Sequence, residues 1–110
     1  MAESHAPLVV IALELEGQGL FERADISVLY TGLGKVNAAL SLAKKLATLR
    51  AQAALPSLVV NFGTAGSRRF ATGSVVACRQ FVQRDMDVTG LGFSLGETAH
   101  RGCLIASPAA

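Results

Sequence analysis

Residues 26–61 read ISVLYTGLGKVNAALSLAKKLATLRAQAALPSLVVN, which is the pattern of a strand, a glycine turn, a helix and a second strand. The apolar runs at residues 26–30 and 58–61 are rich in residues that favour strands. Between them, apolar residues recur at helical spacing and predict a helix from Lys35 to about Gln52. The apolar stripe that this helix should turn toward the core comprises Val36, Leu40, Ala43 and Ala47, widened by Ala39 and Leu46. A strand, a helical crossover and a second strand form a βαβ unit with parallel strands.

Two further segments extend this unit. Residues 8–13 (LVVIAL) are short, apolar and bounded by charge, which predicts a buried strand. Residues 74–82 follow Gly73 and predict a fourth strand. The resulting order of strand, strand, helix, strand and strand indicates the α/β class.

Composition excludes several classes of function. The chain has 110 residues, enough for one domain at most, with 51% hydrophobic and 16% charged residues. A net charge of +2 without a basic stripe argues against nucleic acid as a partner. The longest apolar run, residues 7–13, is far shorter than the roughly 20 residues of a membrane span, and no basic region precedes it. We therefore expect a cytoplasmic protein without membrane contact.

Cys78 and Cys103 stand far apart, without the spacing of a metal or redox motif. A disulfide between the two cysteines is an open alternative, and we predict two free thiols.

Glycine turns follow two of the predicted strands. Residues 31–35 (TGLGK) separate a strand from the helix, and residues 61–67 (NFGTAGS) follow the next strand. The turn at residues 31–35 is neither a Walker A loop nor a dinucleotide fingerprint, and taken alone it is better interpreted as a tight connection without a ligand. Ligands of open α/β sheets bind beyond the carboxyl ends of the strands, where bare amides and the Thr64 hydroxyl would suit a ribose or an anion. The two turns together make ligand binding and simple connections equally good interpretations.

Several acidic and basic side chains could carry chemistry. Glu14 and Glu16 would share one face if the first strand continued, and one of them could serve as a general base. We interpret Glu14 as a solvated residue at the end of the strand. Asp85 and Asp87 lack the further oxygen ligands of a calcium loop, so no metal site is predicted. His5 and His100 are interpreted as surface residues.

Four segments resemble, in the right order, those of the methylthioadenosine/S-adenosylhomocysteine nucleosidases of the nucleoside phosphorylase superfamily. The segments are VVIALELE (residues 9–16), TGLGKVNAA (31–39), VVNFGTAGS (59–67) and TGSVVACRQFVQRDMDVTGLGF (72–93). The resemblance covers about residues 8–93, whereas the tail at residues 94–110 is atypical. It implies that residues 1–110 are the N-terminal part of a nucleosidase-like domain.

The resemblance implies a fold and a set of site residues. The implied fold is a three-layer α/β/α sandwich around a mixed sheet, here incomplete. Glu16 matches the glutamate that activates the attacking water. The implied substrate-binding residues are Thr64, Ala65 and Gly66 beside the ribose, Leu33 in the pocket for the 5′-substituent, and Val88 and Leu91 lent by a neighbouring subunit. A purine nucleoside substrate and a homodimer are implied, and neither a metal nor an organic cofactor is expected.

The resemblance leaves three functions open. Residues 12–19 (ALELEGQG) stand where related phosphorylases carry a Gly-Asp-Pro-x-Arg loop, which favours a hydrolase over a phosphorylase. The third possibility is a non-catalytic nucleoside-binding or dimerising remnant. The family's ribose-binding Met-Glu pair and its catalytic aspartate have no match in the 110 residues, so we expect the isolated chain to turn over nucleosides poorly. We also expect an exposed apolar face of the sheet.

Overall fold

The computed structural model describes residues 6–95. Three strands are present: β1 (Leu8–Ile11), β2 (Ser27–Tyr30) and β3 (Val59–Asn61). The α-helices are α1 (Glu14–Gly17), α2 (Leu20–Arg23) and α3 (Lys35–Ala51), and a 3₁₀ helix spans Thr89–Leu91. The chain divides between Gly66 and Ser67 into two units. All strands and α-helices of residues 6–95 lie in the first unit.

The sheet has the strand order β2-β1-β3, and both pairings are parallel. Val9 in β1 is in register with Val28 on one side and with Val60 on the other. The predicted βαβ unit is therefore confirmed, with β1 inserted between its two strands. The mixed sheet expected from the resemblance is wrong for residues 6–95, because every strand pair there is parallel.

The core is centred on β1. Leu8, Val9, Val10 and Ile11 are all buried, and Ile11 has no exposed surface. Because successive side chains of a strand point to opposite faces, four buried residues in a row require cover on both faces of the sheet. The short apolar run at the start of the chain thus supplies the central strand.

The first strand is shorter than predicted. It ends at Ile11 rather than at residue 13, and Glu14 begins helix α1. Gln18 closes that helix in the left-handed conformation, at φ 51°. The prediction that Glu14 and Glu16 share one face of a strand is therefore wrong, because residues two apart on a helix point in different directions.

Helix α3 has the predicted bounds to within one residue, with Gln52 as its C-cap. Most of the predicted inner stripe is wrong, since Val36 is 76% exposed and Leu40 is 59% exposed, and only Leu46 of that stripe is half-buried. The face turned inward consists of the half-buried residues Ala38, Ser41, Leu42, Leu46 and Leu49. Both faces of α3 carry apolar residues, so periodicity alone does not show which of them is covered. Within residues 6–95 no helix is long and apolar enough to cross a membrane.

The exposed apolar face expected for the sheet is not found within residues 6–95, where the exposed large apolar side chains lie mostly in loops and in the second unit. On α3, Val36 and Leu40 are exposed on the outer side of the helix. In the sheet, the exposed apolar residue is Val59 of the edge strand β3, at 37%. Central strand β1 is covered on both faces.

The fourth strand predicted for residues 74–82 is absent, and this prediction is wrong. Val75 is 89% exposed. A strand forms only when its backbone N–H and C=O groups pair with a neighbour. The described part of the second unit contains no strand that could pair with this run.

Gly17 makes the close contact that fits α1 to the core. A Cβ atom at residue 17 would stand 2.9 Å from Cδ1 of Ile11, which is closer than packed carbon atoms approach. We expect Gly17→Ala to lower the free energy of unfolding by about 1 kcal/mol through overpacking. Ile11→Val removes the Cδ1 atom and so relieves the crowding. The double variant should therefore lose less free energy of unfolding than the sum of the two single losses, by about 0.5 kcal/mol or more.

Urea unfolding of the two single variants and the double variant measures this coupling. Strictly additive losses would show that Gly17 and Ile11 do not crowd each other.

Candidate active site

Three loops meet at the carboxyl edge of the sheet. The three strands are parallel, so α1 after β1, the glycine turn after β2 and the loop after β3 all leave from the same edge. Backbone hydrogen bonds extend the strand ends into these loops, from Gly32 to the carbonyl of Ala12 and from Phe62 to the carbonyl of Val10, both at 3.0 Å. This edge is where ligands bind in open α/β sheets.

Glu16 and Thr64 are joined at this edge. Oε2 of Glu16 accepts hydrogen bonds from the backbone N–H of Thr64 and from its Oγ1, each at 2.8 Å. The two residues are 48 positions apart in the chain. The contact ties the loop after β1 to the loop after β3, across two neighbouring strands of the sheet.

Glu16 also caps its own helix. The backbone N–H of Leu13, which is the N-cap residue of α1, donates to Oε1 of Glu16 at 3.1 Å. The backbone N–H of Glu16 donates in turn to the carbonyl of Leu13 at 3.0 Å. Leu13 has no polar side-chain atom, so Glu16 supplies the side-chain hydrogen bond of this cap. The side chain is thereby anchored at both oxygens.

These bonds favour the ionised form of Glu16. The backbone N–H of Thr64, its hydroxyl and the backbone N–H of Leu13 lower the pKa of the Glu16 carboxyl below its ordinary value. Donors that point at a carboxylate stabilise its charge. Glu16 is therefore a carboxylate at neutral pH, which is the state that a general base requires.

Gly63 lies beside the Glu16 carboxylate in the loop after β3. A Cβ atom at this position would lie 3.4 Å from Oε2 of Glu16, at ordinary van der Waals distance from the atom that Thr64 binds. Sequence analysis identified the glycine turn but not this contact, because nothing in the local pattern shows which side chain approaches it.

Helix α2 braces the loop that carries Thr64. The rings of Phe21 and Phe62 meet edge to face, with their centroids 5.1 Å apart. Such a pair stabilises a fold by about 0.5–1.5 kcal/mol beyond the burial of its area.

A second contact joins helix α2 to β2. The hydroxyl of Tyr30 donates to Oε2 of Glu22 at 2.5 Å, and this bond raises the pKa of Tyr30 to about 12. No sequence motif indicates either contact.

The remaining predicted site residues fall into two groups. Leu33 lies in the turn after β2 and is 64% exposed, and Ala65 and Gly66 follow Thr64 and are exposed. Val88 and Leu91 belong to the second unit, where Val88 is the half-buried N-cap of the 3₁₀ helix and Leu91 is 74% exposed. The structure thus joins Glu16 directly to Thr64, while the other predicted residues are exposed except for the half-buried Val88.

Asp87 has a local role. Its Oδ1 accepts hydrogen bonds from the backbone N–H and the Oγ1 of Thr89, at 3.1 and 2.7 Å. Both bonds lower the pKa of the Asp87 carboxyl, and the bond from the hydroxyl lowers it most.

No group of three or more metal-ligating side chains comes together within residues 6–95. Cys78 is an exposed free thiol, whereas His5, His100 and Cys103 lie outside the described residues.

The chain matches one known protein family over most of its length. The family model described as the phosphorylase superfamily matches residues 17–110. The chain belongs to the phosphorylase superfamily. The matched range of this superfamily member includes Thr64 and begins one residue after Glu16. The resemblance drawn from its sequence segments is thereby confirmed at the level of the superfamily.

Relatives with known names are 5′-methylthioadenosine/S-adenosylhomocysteine nucleosidases. The protein from Marinomonas sp. is 41% identical over 81 residues, which are 72% of this chain and 33% of the relative. The protein from Geobacillus sp. is 38% identical over the same shares, and that from Haemophilus ducreyi is 32% identical over 92% of this chain and 41% of its own. This superfamily member thus spans about a third of the first relatives' length. No solved structure gives a significant match.

Proposed function

We propose that this protein takes part in the hydrolysis of the N-glycosidic bond of a purine nucleoside such as methylthioadenosine. The observation that carries the proposal is the ionised Glu16 carboxylate, held by Thr64 at the carboxyl edge of a parallel sheet. The names of the relatives support the choice of nucleoside, since these proteins are named as nucleosidases of 5′-methylthioadenosine and S-adenosylhomocysteine.

Glu16 acts as the general base in this proposal. The oxygen of water bonds to C1′ of the ribose while Glu16 takes up one proton of the water. The electron pair of the broken C1′–N bond leaves with the purine, which receives a proton from a general acid. The transition state has the character of an oxocarbenium ion, and a positioned base contributes about 10²–10⁴-fold to such a step.

The remaining site residues have binding roles. The exposed Thr64, Ala65 and Gly66 would contact the ribose, and Leu33 would line the pocket for the 5′-substituent. We extend the proposal to a homodimer in which Val88 and Leu91 reach the pocket of the other subunit.

The fold proposed for the whole protein is the three-layer sandwich of nucleoside phosphorylases. Residues 1–110 would form the N-terminal part of that domain, around the parallel sheet described above. A cytoplasmic location stays a prediction.

Hydrolysis and phosphorolysis differ in their second substrate. Residues 14–17, which form α1, present Glu16 to the site and contain no arginine that could bind phosphate. The isolated chain is expected to release adenine from methylthioadenosine slowly, and we expect this slow rate to be measurable in phosphate-free buffer and to remain unchanged when phosphate is added. A coupled assay for free adenine measures this rate. Release that requires phosphate would assign the protein to the phosphorylases and overturn the proposal.

One observation favours nucleoside binding without turnover as a second candidate. Leu33, Thr64 and Ala65 are exposed to solvent, whereas hydrolytic sites surround the reacting bond and exclude bulk water. Saturable binding of methylthioadenosine without release of adenine would support this second function. The adenine assay, together with this binding measurement, therefore separates hydrolysis from binding without turnover.

A further inference from the structure

The two oxygens of the Glu16 carboxylate have different partners. Oε2 accepts two hydrogen bonds, both from Thr64, through its backbone N–H and its Oγ1. Among residues 6–95, one donor reaches Oε1, the backbone N–H of Leu13, and this bond is longer, at 3.1 Å compared with 2.8 Å. A carboxylate oxygen has two lone pairs in the plane of the group. Thr64 therefore fills Oε2, while Oε1 keeps one lone pair.

We propose that Thr64 is a positioning residue that occupies Oε2 and so makes Oε1 the atom of Glu16 that takes the proton from the attacking water. This inference rests on the proposed role of Glu16 as the base. In the step, one O–H bond of water breaks, its proton goes to Oε1, and the water oxygen bonds to C1′. The C1′–N electron pair leaves with the purine, which is protonated by a general acid.

The loop around Thr64 is built to hold this arrangement. Phe62 is fixed by the bond from its backbone N–H to the carbonyl of Val10, at 3.0 Å, and by its ring contact with Phe21. Gly63 then brings the chain within contact distance of Oε2. Because the loop is tied to the sheet, the two donors of Thr64 are fixed in space rather than following the carboxylate.

The hydroxyl of Thr64 has a second consequence. A threonine hydroxyl has one proton, and here it is donated to Oε2 of Glu16. Toward a bound water, Oγ1 can then act only as an acceptor. The carboxylate remains the proton acceptor, and the threonine does not compete with it as an acid.

The test compares Thr64→Val, which removes the hydroxyl and keeps the backbone N–H, with Thr64→Ser, which keeps both donors. The pKa of Glu16 is followed in the full 110-residue chain by carbon-13 NMR of its side-chain carboxyl. In Thr64→Val we expect this pKa to shift upward, since one of the two donors to Oε2 is lost. In Thr64→Ser we expect it to stay at the wild-type value.

The second unit offers a matched control. Thr89 binds Asp87 through its backbone N–H and Oγ1, the same pair of donors on one oxygen. Thr89→Val should raise the pKa of Asp87 and leave that of Glu16 unchanged. A Glu16 pKa that is the same in Thr64→Val as in the wild type, or that moves equally in Thr64→Ser, would overturn the proposal.

Turnover provides the second measurement. With methylthioadenosine as the probe, Thr64→Val should lower kcat more than it raises KM, and should move the acid limb of the pH profile of kcat/KM upward. A loss confined to KM would make Thr64 a ribose contact only and would overturn its positioning role. Failure of the proposed function is seen separately, as the absence of adenine release in the wild-type chain or as release that does not depend on Glu16.

Discussion

Glu16→Gln is expected to lower the rate of adenine release from methylthioadenosine by about 10²–10⁴-fold. Glutamine has nearly the same shape, but its amide cannot take a proton from water. A glutamine has one accepting oxygen, so it can keep the two hydrogen bonds from Thr64 or the one from Leu13, but not both sets. The variant therefore loses the base and one of the two sides on which the side chain is held. Steady-state kinetics at neutral pH measure the effect.

Glu14→Gln is the matched control for this variant. Glu14 lies on the same short helix, is exposed and begins α1 rather than facing Thr64. Its replacement removes the same charge from the same helix and should change the rate less than about twofold, as expected for a surface residue outside the site. Equal losses in both variants would show that the charge of α1 matters rather than the position of Glu16. An unchanged rate in Glu16→Gln would exclude this residue as the base.

Ile11→Ala is expected to give a large loss of stability, about 2–5 kcal/mol in the free energy of unfolding. Ile11 has no exposed surface and lies on the central strand, and its Cδ1 fills the space beside Gly17. Truncation removes three carbon atoms from the core, and the neighbouring strands can close around the cavity only in part. Urea unfolding followed by circular dichroism measures the change.

The control for the core variant is Val36→Ala on helix α3. Val36 is 76% exposed, so its truncation removes little buried area, and alanine favours the helix more than valine does. We expect a change of less than about 0.5 kcal/mol. A loss in Val36→Ala as large as that in Ile11→Ala would mean that the outer face of α3 is covered in solution.

Local sequence patterns predicted most of the elements. The bounds of α3 agree to within one residue, because a 17-residue helix is set by its own propensities, by Gly34 before it and by Pro56 after it. Strands β2 and β3 were found for a similar reason, since short β-branched runs between turns have few alternatives. The glycine turns at their carboxyl ends followed from the same spacing.

Resemblance, rather than pattern, selected Glu16 as the base, whereas the position of the turn after β3 already offered the Thr64 hydroxyl to a ligand. Reasoning from the residues alone placed Glu14 and Glu16 on one face of a strand and interpreted Glu14 as solvated. The structure separates them, because β1 ends at Ile11 and the helical turn of α1 directs Glu16 toward Thr64. A difference of two residues in the end of a strand therefore decides which carboxylate enters the site.

The sequence by itself determined the α/β class, the crossover helix and the turns that carry the site, because each depends on neighbours within a few residues. Tertiary structure decided the position of β1 between β2 and β3, the covered face of α3, the absence of a strand at residues 74–82 and the contact across 48 residues between Glu16 and Thr64. The physical reason is the same in all four cases. Strand pairing, burial and a hydrogen bond between distant loops each require a partner, and the local sequence does not determine where that partner lies.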